Sequence, residues 1–290
     1  MRVQKMIEKY PDRQQELQQY GEWLLQMGDG TLEKKFRDVI KIPSHMICKT
    51  TNVLENNVFD NFEENATDPD YLAKRAIMSS KNDTINEKNY HMIDRLPGDM
   101  HISYSRDKCV DDDHVTMHDE HCLNAVNVSG IPPHRLPLKI GALIILIRNL
   151  HVAEGHCNGT RYFIIQLTDN LIKAKKVTGG ENSVILIPRI PMISKESSYP
   201  IPFKRVQFPV LGAYYLTVNR AQGQTLERAG LYLEESVFSH GHLYVGFGRC
   251  GDPRSFFVYA NQAEFQHIQK HLENGSHYTR NIVCPELLER

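Results

Sequence analysis

The stretch Ala213–Arg249, AYYLTVNRAQGQTLERAGLYLEESVFSHGHLYVGFGR, decides the fold. Apolar Ala213-Tyr214-Tyr215-Leu216 reads as a strand that runs straight into Thr217-Val218-Asn219-Arg220-Ala221-Gln222-Gly223-Gln224-Thr225. That loop is dense in amides, hydroxyls and guanidinium, and its Gly223 lets backbone approach a ligand closely. A polar loop at the carboxyl end of a strand is where open α/β sheets bind ligands. Ala229–Leu233 gives a second short apolar run. Ser239 is placed to cap a helix whose apolar positions Leu243, Tyr244 and Phe247 recur at helical spacing. The helix delivers Arg249 and stops at Cys250-Gly251.

Composition bounds the rest. A chain of 290 residues with 41% hydrophobic and 24% charged residues is long enough for one large or two modest packed domains. No apolar run reaches the ~18 residues of a membrane span, and the first residues, MRVQKMIEK, hold no apolar secretory core. The six cysteines form no C-x-x-C pair, so neither a disulfide framework nor a zinc ribbon is indicated, which favours a reducing, intracellular compartment. The net charge of −1 hides an asymmetry. Residues 51–125 carry 7 Lys+Arg against 16 Asp+Glu, whereas residues 126–205 carry 11 against 4. The basic segment is a candidate nucleic-acid face, with a solvated surface as the equal alternative.

Along the chain, Pro11-Asp12 opens a helix with Leu17, Tyr20, Leu24 and Met27 on one stripe, stopped at Gly28-Asp29-Gly30. Trp23 on that helix reads as packing. From Glu33 to Asp70 the sequence is irregular and reads as a surface connector. Ala76–Ser79 is a short strand, and the capping box Thr84-Ile85-Asn86-Glu87 starts a helix that ends by Pro97-Gly98. His114 and His118 are spaced to share a helix face, but no second ligand pair follows at finger-like spacing, so no metal is assigned. Between Leu136 and Pro202, four apolar runs (Ile140–Ile147, Tyr162–Leu167, Leu171–Val177, Val184–Ile187) are joined by Asn-Gly, Asp-Asn and Gly-Gly turns, the pattern of a small β-barrel. Phe256–Ala260 is a closing strand, a last helix carries Phe265, Ile268 and Leu272, and the residues from Gly275 read as a tail.

The strings TVNRAQGQTL and VFSHGHLYVGFGR closely resemble motifs V and VI of the petite-integration-frequency (Pif) family of superfamily-one DNA helicases, Helitron-encoded members especially. Departures are Arg220 for the usual Lys, His242 for Gln and Gly248 for Ser. The resemblance implies an α/β fold: a second RecA-like helicase lobe with an inserted small Src-homology-type β-barrel. Its implied boundaries are 1–70 (helix and connector), 71–135 (lobe, first part), 136–205 (barrel), 206–274 (lobe, second part) and 275–290 (tail). It implies that Arg249 is the catalytic arginine and that Gln222 and Gly223 sit near the γ-phosphate. Thr217, Asn219 and Arg220 would couple the loop to the DNA backbone. Met1-Arg2 looks like the end of motif IV, whose arginine reaches the nucleotide phosphates, with a basic residue beside a terminus as the equal alternative. On the barrel, Arg161, Lys173, Lys175 and Lys176 would line a track for single-stranded DNA, or be polar faces of half-buried strands.

Phosphoryl transfer to water needs a phosphate cradle with Mg²⁺, a carboxylate for metal and water, and a cation for developing charge. Arg249 suits the third role. No G-x-x-x-x-G-K-[ST] occurs, nor an apolar strand ending in Asp-Glu. ATP and Mg²⁺ are therefore expected through an N-terminal helicase lobe, with single-stranded DNA and forked duplex as partners, a nuclear or mitochondrial location and no membrane. The other reading is a non-catalytic single-stranded DNA-binding module or transposon relic.

Overall fold

The computed structural model describes the chain except residues 1, 82, 111–119, 179–182, 195–201, 285 and 287–290. The chain forms two compact units, and elements are numbered along it. The first unit comprises Met1–Phe62, Lys74–Ile85 and Tyr215–Arg290. Its centre is a parallel sheet of β3 (Arg75–Ser79), β14 (Tyr215–Thr217), β15 (Arg228–Leu233) and β16 (Phe256–Ala260). The order is β14-β3-β15-β16, so the first of these strands in sequence lies between the second and third. The strands are short and nearly all apolar because a parallel sheet is covered on both faces.

Helix α3 (Thr51–Val58), capped by the Thr50 side chain, which accepts from Val53 N, lies directly on this sheet. A Cβ on Gly230 would sit 2.9 Å from Val58 Cγ2, so only glycine admits the helix at that distance. Helix α2 (Gln14–Asp29) buries Leu17, Tyr20, Leu24 and Met27, the stripe its spacing predicts. It packs on α8 (His242–Phe247), with the Trp23 and Phe247 rings edge to face at 5.0 Å. The same unit holds α1 (Arg2–Lys9) and a small antiparallel sheet of β1 (Lys34–Phe36), β2 (Val39–Lys41) and β17 (Tyr278–Arg280).

The second unit comprises Glu63–Ala73 and Asn86–Tyr214. Its main sheet is antiparallel: β7 (Leu143–Leu146), β8 (Arg161–Leu167), β9 (Leu171–Lys176), β10 (Val184–Pro188) and β13 (Val210–Gly212), in the order β10-β9-β8-β7-β13. A three-stranded sheet joins β11 (Ile190–Ile193), β12 (Phe203–Gln207) and β5 (Arg106–Cys109), and β4 (His101–Tyr104) pairs with β6 (Arg135–Leu138). Helices α4 (Phe62–Asn65), α5 (Pro69–Ala73), α6 (Asp83–Asp94) and α7 (Glu120–Asn124) complete the described helices.

The core of the second unit contains a fully buried ion pair. Arg205 donates to both Asp107 oxygens at 2.6–3.0 Å and also to the carbonyls of Leu123, Val126 and Pro132. All this satisfies the charge and ties β5, β12 and α7 together.

Several expectations are corrected. Residues 33–70 are not a surface connector: Val39, Ile40, Ile42, Leu54, Val58, Phe59 and Phe62 are all buried there. The end from Gly275 is not a tail, because Tyr278–Arg280 pairs with β2. The stop of α2 at Gly28-Asp29-Gly30 holds: the helix ends at Asp29 and Gly30 caps it in the left-handed conformation at φ 71°. Ser239 does not cap α8 with its side chain; Gly241 stands at the N-cap and Ser239 accepts from His242 N through its carbonyl. His114 and His118 lie outside the described residues.

Truncating one partner of a buried pair leaves the other charge stranded, at a cost of about 3–5 kcal/mol. Asp107→Ala is therefore expected to lower the unfolding free energy of the second unit by about that amount. Urea denaturation of the variant checks this, and a loss below about 1 kcal/mol contradicts the role given to the pair.

Candidate nucleotide and nucleic-acid site

The loop between β14 and β15 crosses the parallel sheet from edge to edge. It leaves the carboxyl edge, where Val218 N donates to Ser79 O at 3.1 Å. It turns through Asn219–Gly223, with Thr217 Oγ1 accepting from Arg220 N at 3.2 Å and Gln222 N donating to Asn219 O at 3.2 Å. Gly223 has φ 81° with open space where a Cβ would project, so this turn requires glycine. By Leu226 the loop has reached the amino edge, where Leu226 N donates to Arg249 O and Glu227 N to Lys74 O. Thr217, Asn219 and Arg220 thus lie toward the carboxyl edge, and Gln222 and Gly223 form an exposed crest.

At the amino edge Arg2 joins the two motifs. Its Nε donates to Thr225 Oγ1 at 3.1 Å, one terminal nitrogen to Gly248 O at 3.1 Å and the other to Gln224 O at 2.9 Å. Arg249 donates through Nε to Val245 O at 2.9 Å. Burial, then the Arg2 charge, pull the Arg249 guanidinium below its ordinary range. Among the described residues no carboxylate forms a salt bridge with Arg2, Arg249 or Arg220. Gln224 Oε1 is buried without a hydrogen-bond partner. The Arg2 and Arg249 guanidiniums are thus two cations at one edge, each bearing on the other's charge. Arg2, Lys5 and Lys9 of α1 line a cleft of about 560 Å³ whose other walls include Leu226 and Cys250 and the acids Glu227 and Asp252. Among the described residues no cluster of three His, Cys, Asp or Glu side chains is placed to hold a metal.

A second layer supports the arginines. Arg13 donates to both Asp252 oxygens at 2.7 and 3.0 Å and to both Glu16 oxygens at 3.0 and 3.2 Å. Arg254 closes the chain on Glu16 at 2.7 and 2.8 Å. This ladder fixes the segment that follows Arg249. Asp252 and Glu16 together raise Arg13 above its usual range, and Arg13, then Arg254, hold the Glu16 carboxyl below its own. Burial pushes the Cys250 thiol up to about 12, which makes it inert in this setting.

In the second unit, Lys173 and Lys175 project from the outer face of β9 beside Leu186 and Val184. Arg161 does not join them. It is buried, donates to the Ala73 carbonyl, and is lowered to about 10 by burial. Lys139 and Arg205 are buried too, so part of the positive charge of residues 126–205 is spent inside.

Gln224, Thr225, Arg13, Glu16 and Asp252 escaped the reading of the sequence. The first two sit in the motif itself. The ladder joins partners more than two hundred positions apart, and no local pattern announces it.

A family model described as DNA helicase Pif1, 2B domain, matches residues 121–167. The chain is 28% identical over 146 residues to ATP-dependent DNA helicase PIF6 of Trypanosoma brucei brucei, covering 45% of this chain and 18% of that one. It is 25% identical over 170 residues to ATP-dependent DNA helicase PIF1 of Xenopus laevis, covering 58% and 25%. The chain is thus similar to Pif1-type DNA helicases over part of their length. It spans about a fifth to a quarter of the length of these curated relatives. The Pif1 helicase from Candida albicans aligns with a TM-score of 0.47 at 19% identity, over 76% of this chain and 57% of that one.

Two departures from the Pif motif strings acquire a setting. At Gly248 a Cβ would lie 3.0 Å from Tyr244 O, so glycine relaxes the turn that presents Arg249. His242 is buried and its Nδ1 has no partner, and burial lowers its affinity for a proton.

Because the folded carboxyl of Glu16 is held low, its pairing stabilises the fold above the unfolded carboxyl value of about 4.3 and is lost as pH falls through the folded one. Glu16→Gln is expected to melt lower than the unchanged chain at pH 6, with the gap closing toward pH 3. Melting curves across that range check it; a gap that widens at low pH contradicts the assignment.

Proposed function

We propose that this chain is the C-terminal half of an ATP-dependent DNA helicase. It would translocate 5′→3′ on single-stranded DNA and separate duplex strands at forks. The observation that carries this reading is that Arg2 bonds both Gly248 O, beside Arg249, and Gln224 O and Thr225 Oγ1 of the loop whose other end carries Thr217, Asn219 and Arg220. In this reading ATP, with Mg²⁺, supplies the free energy and the group transferred. The phosphate cradle and the metal carboxylates belong to an N-terminal lobe, in the same full-length protein or supplied separately.

The residues of this chain then take distinct roles. Arg249 meets the charge that develops on the phosphoryl oxygens through its terminal nitrogens, since its Nε is held by Val245 O. Arg2 bonds the backbone on either side of the phosphates and keeps the two motifs in register. Gln222 and Gly223 face the γ-phosphate across the lobe cleft. At the opposite edge Thr217, Asn219 and Arg220 grip the DNA backbone, so one loop carries displacement from the nucleotide end to the DNA end. In the second unit, Lys173 and Lys175 offer the β9 face to the DNA backbone. Roles in repair, recombination, telomere maintenance or Helitron transposition, and a nuclear or mitochondrial site of action, belong to the same proposal.

With an N-terminal lobe supplied, Arg249→Ala is expected to reduce DNA-stimulated ATP hydrolysis by about 10³-fold or more while sparing DNA affinity. Retained turnover sinks the role. Replacing Lys173 and Lys175 by Ala is expected to flatten the log–log salt dependence of single-strand binding by about 1.4. An unchanged slope removes β9 from the track. The second reading, a non-catalytic DNA-binding module or transposon relic, is favoured by the same exposed lysines; it is upheld if the chain binds DNA but Arg249→Ala changes no turnover.

A further inference from the structure

The parallel sheet has one topological switch point. Its first strand in sequence, β3, is followed in space by β14 on one side and β15 on the other. Ligands of open parallel sheets lie in the crevice that opens at the carboxyl ends beside such a point. Between β3 and β15 that crevice is walled by Ser80-Lys81 and by Glu234–Ser239. Ser80 Oγ donates to Glu235 O at 3.3 Å, and Lys81 pairs with the Glu235 carboxylate. Tyr232 and Asn261 both donate to the Glu234 carboxylate. The two acids of this edge therefore have partners.

One side chain on this rim breaks the pattern. Val237 is buried at 1%, yet the next residue, Phe238, is 61% exposed, more than any other aromatic side chain among the described residues. Its ring is not loose. His242 meets it edge to face at 5.4 Å and 70°, and His242 is itself nine-tenths buried with Nδ1 unpartnered. The segment carrying the ring is pinned by Gly241 N to Ile282 O and by Cys284 N to His240 Nδ1. An aromatic face that is exposed, pre-oriented and set at the ligand-binding edge suits a planar π partner.

We propose that Phe238 is a stacking platform for an unpaired nucleobase, at the switch-point crevice of the first unit. This rests on the nucleic-acid reading above and deepens it: the polar loop end at Thr217, Asn219 and Arg220 would hold backbone along the same edge, and Phe238 would hold a base. The contact is sequence-tolerant, since every base offers a π face.

The test uses the full chain and a single-stranded oligothymidine carrying one 2-aminopurine, read by anisotropy and by base fluorescence. Phe238→Ala is expected to weaken binding about tenfold and to abolish the quenching of 2-aminopurine, without altering the salt slope, because stacking releases no counterions. Phe238→Tyr keeps both signals. Phe238→Leu, which preserves apolar bulk and guards against a folding defect, loses them. If Phe238→Ala or Phe238→Leu binds and quenches like the unchanged chain, the platform is overturned while DNA binding stands. If the unchanged chain binds no single strand, the DNA reading itself falls, and the platform with it. An exposed ring that instead docks a protein shows as DNA binding indifferent to all three substitutions.

Discussion

The amino edge is held by the three hydrogen bonds of Arg2. The loop after β14 and the segment after α8 also meet at Leu226 N and Arg249 O and bury Leu226 and Cys250. A single guanidinium supplies donors in a fixed plane and satisfies Gln224 O, Gly248 O and Thr225 Oγ1 together. Lysine has no such planar fork and would leave part of this set unpaired. The arrangement has a cost, since Arg249 is brought within reach of the Arg2 charge and its own charge becomes harder to sustain.

The supporting ladder explains how that repulsion is borne. Asp252, Arg13, Glu16 and Arg254 alternate in sign, and each guanidinium meets a carboxylate with two bonds or more. Paired in this way the charges reinforce one another, and isolated surface pairs would contribute little. The ladder ties α2 to the segment after Arg249, and α2 is anchored in turn by its buried stripe and by Trp23 on Phe247. Packing of an ordinary amphipathic helix is thus transmitted to a charged group it never touches.

How much of this was legible varies with the range of the interactions. The strand–loop–strand–helix order of residues 213–249 is written locally, in apolar runs and a glycine, and the structure follows it. The stripe of α2 and the role of Trp23 were equally local. The Glu33–Asp70 stretch does not read as core because its buried residues sit on short strands and short helices whose partners, such as Tyr278–Arg280 for β2 and β15 and β16 for α3, lie far along the chain. The same nonlocal pairing turned an apparent tail into a strand. Ser239 was chosen as a cap by residue type, but the backbone at Gly241, at φ 69°, enters the helix by another route. Charge counting failed for Arg161, Lys139 and Arg205 for a related reason: composition records a cation and says nothing of whether a carbonyl or carboxylate inside has claimed it.

The parallel order also constrains what the site is able to do. With β3 between β14 and β15, the connection from β14 must pass over β3 and arrive at the opposite edge, so residues that begin at the carboxyl side end beside Arg249. A helix could make this crossing, but a helix would bury its backbone polar groups in its own bonds. The loop instead passes through turns bonded within Thr217–Gln224, and leaves Gln224 O for Arg2 to capture. The Arg249 end and the Asn219–Arg220 end are thus joined by one continuous loop and by the three hydrogen bonds of Arg2.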